Sequence, residues 1–319
     1  MNEFEQWVDS RNSAWRNPTG FLSVTSMNWL DENPQTFGDF SGSWHAIDHE
    51  VFSFGFEGAA GQSWVVEHGG EVMVPMADGV LELASRGGRI ILRPRNSKSP
   101  ALARFDGVKV FDYNPKFRVD ARLEADERNV GVSSVAGELG NNYDSPGRLV
   151  FELDGEEHAL ITFNRPDPDV LWVIFKDASG GKSTYGTGRS VSAKRDGDHW
   201  VIDFNMSANF PCAYTDFATC PLAPSENKLS VAIEAGEQTG KGFGRRGTPE
   251  KLLGAFLQPT GAQVGVDMEL ELAPQRLARG VETEESQQVD HRLGGGKPPA
   301  LLLGPQPVAA FTRHRQAYH

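Results

Sequence analysis

The chain has 319 residues, with 31 Lys+Arg against 43 Asp+Glu and a net charge of −12. That surplus argues against non-specific nucleic-acid binding, which needs cations to displace counterions, and against docking on an anionic membrane surface. Seven Trp and nineteen Phe supply large apolar surfaces for a packed core, yet no apolar run approaches the ~20 residues of a membrane-spanning helix.

The first expected element is a helix over residues 3–16. Phe4, Trp7, Val8, Arg11 and Trp15 fall on one stripe at helical spacing, and Glu3 and Glu5 suit its positive N-terminal end. Asn17-Pro18-Thr19-Gly20 stops it. The stripe is expected to pack on the main body as a lid or strap. The start of the chain lacks the basic-then-apolar pattern of a signal peptide, so a cytoplasmic protein with its two cysteines reduced is expected.

From about residue 44 the period changes to two. Phe52, Phe54 and Phe56 alternate with small residues. Phe117, Val119, Ala121 and Leu123 alternate with Arg118, Asp120, Arg122 and Glu124, the pattern of a half-buried antiparallel strand. Turn dipeptides such as Gly87-Gly88, Asp154-Gly155 and Asp196-Gly197 supply the positive φ that tight hairpins need. The clearest hairpin runs Leu149–Leu153, Asp154–Glu157, His158–Phe163. No long helical period interrupts the region, which argues against a parallel βαβ sheet. The expectation is a mainly β domain over residues 1–240, an antiparallel meander forming a barrel or sandwich.

Alternation over His199–Ser207 puts Trp200, Ile202, Phe204 and Met206 on one face and Val201, Asp203, Asn205 and Ser207 on the other. An extended Tyr185–Arg189 puts Tyr185, Thr187 and Arg189 together. A loop rich in Pro and Asn follows over residues 207–227.

The stretches Ser183–Arg189, Ile202–Tyr214, Thr219–Leu229 and Ile233–Glu237 form a distinctive series. It resembles the signature of the prokaryotic domain of unknown function 1684 family: a TYxxGR stretch, a DFNxAxNPPCAF stretch, a CPLPPxEN stretch and a closing AGE. Gly20–Val24, Asn28-Trp29-Leu30, Phe105-Asp106-Gly107 and Lys116–Val119 match in style, so the resemblance spans roughly residues 4–237. Phe210 stands where the family usually has Pro. The resemblance implies a β-rich domain and carries no activity or residue role.

Residues 1–240 carry 21 Lys+Arg and 35 Asp+Glu, a net of −14, whereas residues 241–319 carry 10 and 8, a net of +2. Gln rises from four to seven across the same boundary, and stretches such as Gly294-Gly295-Gly296-Lys297-Pro298-Pro299 suit regular structure poorly. Residues 241–319 are therefore expected to be an atypical, disordered or loosely packed extension, allowing a short helix at Pro249–Leu257.

Few motifs carry chemistry. Ser179-Gly180-Gly181-Lys182-Ser183 and Gly240-Lys241 are near-misses to a phosphate loop, lacking the required spacing or the magnesium-binding hydroxyl. Cys212 and Cys220 have seven residues between them and no second ligand pair; a zinc site would need two histidines from elsewhere, such as His158 and His199, and a cysteine nucleophile would need His199. No cofactor or metal is expected, and no catalytic residue stands out.

The expected site is polar. Tyr185, Arg189, Asp203, Asn205 and Asn209 should converge at one pocket, with Arg189 paired to Asp203 and its spare donors facing a small polar or anionic ligand. The loop carrying Cys212, Cys220 and Asn227 should close one side. Two alternatives stand beside this: a structural or interaction module in which those residues order the 207–227 loop, and, more weakly, a cysteine- or metal-dependent hydrolase.

Overall fold

The computed structural model describes residues 1–239. The expectations for residues 241–319, including a helix at Pro249–Leu257, lie outside the described residues.

Helix α1 (Glu3–Trp15) starts with a capping box. The Asn2 side chain accepts from the Glu5 N–H at 2.8 Å, and the Glu5 carboxylate accepts from the Asn2 N–H at 2.9 Å. Two backbone donors that lack intrahelical partners are thereby satisfied. Trp15 packs at a tilt against Tyr214 with centroids 4.3 Å apart and shares an apolar cluster with Leu22, Phe105 and Val108, so the helix straps the body as its stripe implied.

Eight strands follow: β1 (Asn28–Trp29), β2 (Gln35–Phe37), β3 (Phe40–Ile47), β4 (Glu50–Phe54), β5 (Gln62–Val65), β6 (Glu71–Met76), β7 (Gly79–Arg86) and β8 (Arg89–Asn96). They form two four-stranded antiparallel sheets, in the orders β1-β8-β7-β6 and β2-β3-β4-β5. Trp44, Val51, Phe56 and Val66 from one side and Val74, Leu81, Leu83, Ile90 and Leu92 from the other share a core, which makes a sandwich. The alternating phenylalanines are not its inward face. Val51 and Ser53 point inward, Phe54 is exposed, and Phe56 enters the core only because the chain leaves β4 and turns.

Sheet β1-β8-β7-β6 is buried on both faces where β7 meets β8. Leu81, Leu83, Ile90 and Leu92 face the sandwich core, so alternation turns Glu82, Ala84, Arg86, Ile91, Arg93 and Arg95 the other way. There Ala84, Ile91, Glu82, Arg93 and Arg95 are buried too. Charges on that face must pair, because an isolated buried charge is very costly.

After α2 (Pro100–Arg104) the chain builds a third sheet from β9 (Arg118–Ser134), β10 (Gly137–Leu153), β11 (Glu156–Ile161), β12 (Phe163–Asn164), β13 (Val170–Phe175), β14 (Arg189–Asp196), β15 (His199–Asp203) and β16 (Ala208–Asn209). Its order is β11-β10-β9-β15-β14-β13-β12, with β16 on β14. The edge strands β11 and β12 are separated in the chain by Thr162 alone, so the sheet curls on itself. Among the described residues no ladder joins β11 to β13, and the barrel stays open. Asn227 spans the gap: its Oδ1 accepts from Ile161 N at 2.7 Å, and its Nδ2 donates to the Ile161 and Ile174 carbonyls at 2.8 and 2.9 Å. Inside lie Val119, Ala121, Leu149, Phe151, Val173, Phe175, Val191, Trp200, Ile202 and Phe204. The Asp154-Gly155 hairpin forms with Leu153 opposite Glu156, as its pattern predicts.

The β9–β10 ribbon bends at Gly147, whose φ is +142° and where a Cβ would fall 2.1 Å from the Glu124 carbonyl oxygen. Beyond the bend the ribbon's tip meets the β7–β8 turn. Leu139 fills the space beside Gly87, where a Cβ would meet it at 2.8 Å.

Candidate functional site

Arg189 and Asp203 do not pair, and the expected site residues are spread over four networks, of which those of Arg189 and Asn209 meet at Glu237 and across the β14–β16 ladder. Arg189 shares the inward side of β14 with Val191 and Ala193, whereas Asp203 follows Ile202 onto the opposite side of β15, beside Ser192 and Lys194. Alternation therefore separates the proposed ion pair. Arg189 bonds Asp177 at 2.9 Å and donates to the carbonyl oxygens of Ile233 at 2.8 Å, Glu237 at 3.3 Å and Ala235. Tyr185 is not on a strand: Gly188 N donates to Tyr185 O at 3.2 Å in a turn, and β14 starts only at Arg189. The Tyr185 hydroxyl donates to the Cys212 carbonyl at 2.8 Å.

Asp203 and Asn205 do meet. The Asn205 Nδ2 and N–H donate to Asp203 Oδ1 at 2.8 and 3.0 Å, and Asn205 also clasps the backbone of Asn114. Asn209 belongs to a third network centred on Glu237. That buried carboxylate accepts from Arg11 Nε at 2.6 Å, from Tyr214 Oη at 2.8 Å and from the Asn209 N–H at 2.8 Å. Burial, and then the neighbouring carboxylate, push the Tyr214 phenol well above its ordinary range, so it stays a donor. The fourth network is the Asn227 clasp described above. Most of the polar atoms of these side chains bond backbone or one another, Arg189 Nε and Asn209 Oδ1 being exceptions, and these bonds hold loops and α1 in place.

Open space lies elsewhere. A cleft of about 640 Å³ separates the sandwich from the curled sheet, against about 180 Å³ and 540 Å³ for two further clefts. Its walls come from Phe21, from His68 and Arg86–Gly88, from Arg93 on β8, from Gly140–Tyr143 at the ribbon tip, and from Phe210, Pro211 and Ala218–Pro221 of the expected closing loop. Among the described residues that line it there is no Asp or Glu.

The cations below it are over-supplied. Glu82 receives Arg93 through Nε at 2.9 Å and through Nη2, and receives Arg95 through Nη2 at 2.7 Å; Arg86 stands 3.8 Å from the same carboxylate and pairs with Glu71 at 2.6 Å. Three guanidiniums thus face two carboxylates. Arg93 also donates to the Phe217 carbonyl at 3.2 Å, which leaves two of its five N–H groups without an acceptor among the described residues. Phe21 lies 5.3 and 5.2 Å from the Arg93 and Arg95 guanidinium carbons, close enough for cation–π attraction. Burial alone would raise the Glu82 pKa, but Arg93 and Arg95 outweigh it and hold the carboxyl below its ordinary range. On the opposite wall, burial raises the Tyr143 phenol, opposed by Arg86 and Arg165, so it remains a hydroxyl donor.

Glu82, Arg86, Arg93 and Tyr143 are absent from the expected site. A signal was available: Leu81-Glu82-Leu83 and Leu92-Arg93-Pro94-Arg95 set charges inside apolar strands, next to Ala84 and Ile91, which mark the second face as buried. The cysteines of the closing loop meet each other, with Cys212 N donating to Cys220 Sγ at 3.3 Å. Their suggested histidine partners have other neighbours: the His158 ring lies tilted against Phe151, and His199 lies beside Asp120 and Asp198.

The family model described as a protein of unknown function, DUF1684, matches residues 103–238, a narrower span than the residues 4–237 that carry the motif resemblance. No curated protein matches. Among solved structures, the chain is 34% identical to the uncharacterized protein from gene locus rrnAC0354 of Haloarcula marismortui, known from a solution NMR structure. The match covers 43% of this chain and 78% of that one, with a TM-score of 0.37. With that identity over more than two thirds of the relative, and with the family's own pattern on the curled sheet and its closing segments, the chain belongs to the DUF1684 family.

Proposed function

We propose that the chain binds a small amphipathic anion, a carboxylate or phosphate ester with an apolar body, in the cleft between the sandwich and the curled sheet. One observation carries this: in a chain of net charge −12, the 640 Å³ cleft is lined by Arg86 and Arg93 with no carboxylate among its described lining residues. The volume suits a small ligand. The spare Arg93 donors and Arg86 suit its anionic end, while Phe21, Phe210 and Pro211 suit its body. Tyr143, Asn141 and Asn142 add polar contacts at the ribbon tip. The ligand is thus moved from the Arg189–Asp203 region to a cleft that the Cys220 loop does wall. No nucleic acid or membrane belongs to the proposal, and the acidic composition supports a cytoplasmic setting.

A thermal-shift series tests it, using 4-phenylbutyrate, phenyl phosphate, inorganic phosphate and neutral 4-phenylbutanol. The expected result is stabilisation by both amphipathic anions above that given by phosphate, and none by the alcohol. Equal responses to alcohol and anion, or no response at all, would refute it.

A second proposal, an interaction module without catalysis, draws on the outer face of β3–β5. Ile47, Phe54 and Val65 are 49%, 55% and 62% exposed there, with Phe54 stacked on His45. If that face is a contact surface, Phe54→Ser should change the protein's concentration-dependent sedimentation; if not, the profile should be unaltered.

A further inference from the structure

We propose that Cys212 and Cys220 form a reversible intramolecular disulfide in the cleft wall, made by exchange with a small disulfide that enters the cleft and reacts first at Cys220. The proposal does not depend on which ligand the cleft holds.

Three observations carry it. The sulfurs are neighbours: Cys212 N–H donates to Cys220 Sγ at 3.3 Å, the two thiols share a hydrogen bond, and no disulfide links them. They differ in access, since Cys220 lines the cleft and Cys212 lies behind it among Phe163, Ile174 and Phe210. Both backbones are held from outside the loop they bracket. The Cys212 carbonyl accepts from Tyr185 Oη at 2.8 Å, the Cys220 carbonyl accepts from Val135 N at 2.9 Å, and Leu222 N donates to Ser133 O at 2.7 Å. The pair is therefore presented together in the reduced fold, and closing it links two anchored points. The bracketed loop supplies the Phe217 carbonyl to Arg93, so the cross-link would fix one wall of the anion site.

The chemistry balances without a metal. The Cys220 thiolate attacks one sulfur of the small disulfide, forming a mixed disulfide and expelling one thiolate. The Cys212 thiolate then attacks the Cys220 sulfur and expels the second. Two protein thiols are oxidised, one small disulfide is reduced to two thiols, and the protein's two protons pass to the leaving thiolates. Burial and the adjacent thiol raise the Cys220 pKa, so the reaction should be slow near neutrality and speed up about tenfold per pH unit on the alkaline side.

The test is peptide mapping by mass spectrometry after the native full-length protein is incubated with oxidised glutathione and quenched in acid. The expected product is a Cys212–Cys220 linked peptide, reversed by dithiothreitol. Cys212→Ser should stop at a glutathione adduct on Cys220, and Cys220→Ser should leave Cys212 unmodified. If either variant fails to fold, the wild-type map alone decides. A lasting glutathione adduct on the wild type would overturn the proposal, as would adduct formation at Cys212 first, or a disulfide that forms only in urea.

Discussion

Arg189 and Arg93 are both buried almost completely, and they teach different things. Arg189 is surrounded by acceptors, with Asp177 for its charge and the carbonyls of Ile233, Ala235 and Glu237 for its donors. Arg93 shares Glu82 with Arg95, while Arg86 approaches the same carboxylate. The first network engages both Nη atoms of Arg189, leaves only its Nε without a partner among the described residues, and pairs one guanidinium with one carboxylate. The second holds surplus positive charge beneath a cleft. Burial of a charged side chain marks a place where the fold has committed energy. It marks a candidate site only where charge or donors are left over and a cavity reaches them.

That contrast makes separable demands on variants. Arg189→Ala removes a buried cation, strands Asp177 and leaves carbonyls without their donor. It should cost about 3–5 kcal/mol in urea unfolding, with no response to added anions. Glu82→Gln leaves Arg93 and Arg95 without their anion and should cost about 3 kcal/mol; here sulfate should recover part of the loss. Equal sulfate responses in the two variants would erase the distinction between the networks.

The acid limb of stability sharpens the same point. Glu82 has a folded-state pKa below its unfolded value. Its contribution is therefore fully present above about pH 4.3, the ordinary Glu value, and is lost as pH falls through the folded value. Wild type should lose stability on acidification below that point, and Glu82→Gln should show a shallower slope in unfolding followed from pH 6 to pH 3. Parallel slopes would show that Glu82 titrates alike in both states.

Arg86 is 22% exposed on its side chain and lines the cleft. Arg86→Met should change stability by about 1 kcal/mol and weaken anion binding about tenfold, roughly the worth of one charge-assisted hydrogen bond, readable by calorimetric titration. The smallest effect is expected at Lys194, whose ion pair with Glu3 is largely exposed. Lys194→Ala should cost under about 0.5 kcal/mol and leave anion binding unchanged.

The fold was largely legible because period-two alternation and Asp-Gly turns are local signals, as β9, β10 and the Asp154-Gly155 hairpin show. The capped first helix was legible for the same reason. The site was not, because the polar series from Tyr185 to Asn209 reads as a cluster only if its strands run through. The chain turns at Tyr185–Gly188 and again at Phe204–Met206, and each turn sends neighbouring side chains to different surroundings. The cleft draws on Phe21, Arg86, Arg93, Tyr143 and Cys220, positions far apart in sequence, and its cations lie outside the family-matched residues 103–238. Their one local mark, charges embedded in doubly apolar strands, predicts burial and pairing. The surplus of charge becomes visible only when the register sets Glu82 opposite Arg93.

Backbone-amide NMR on isotopically labelled protein, titrated with 4-phenylbutyrate, tests the central claim most directly. Saturable shifts should concentrate at Arg86–Gly88, Arg93, Gly140–Tyr143 and Thr219–Cys220, persist in Lys194→Ala and weaken in Arg86→Met. Saturable shifts centred on Asp203 and Asn205, or none at all, would contradict the placement of an anion site in this cleft.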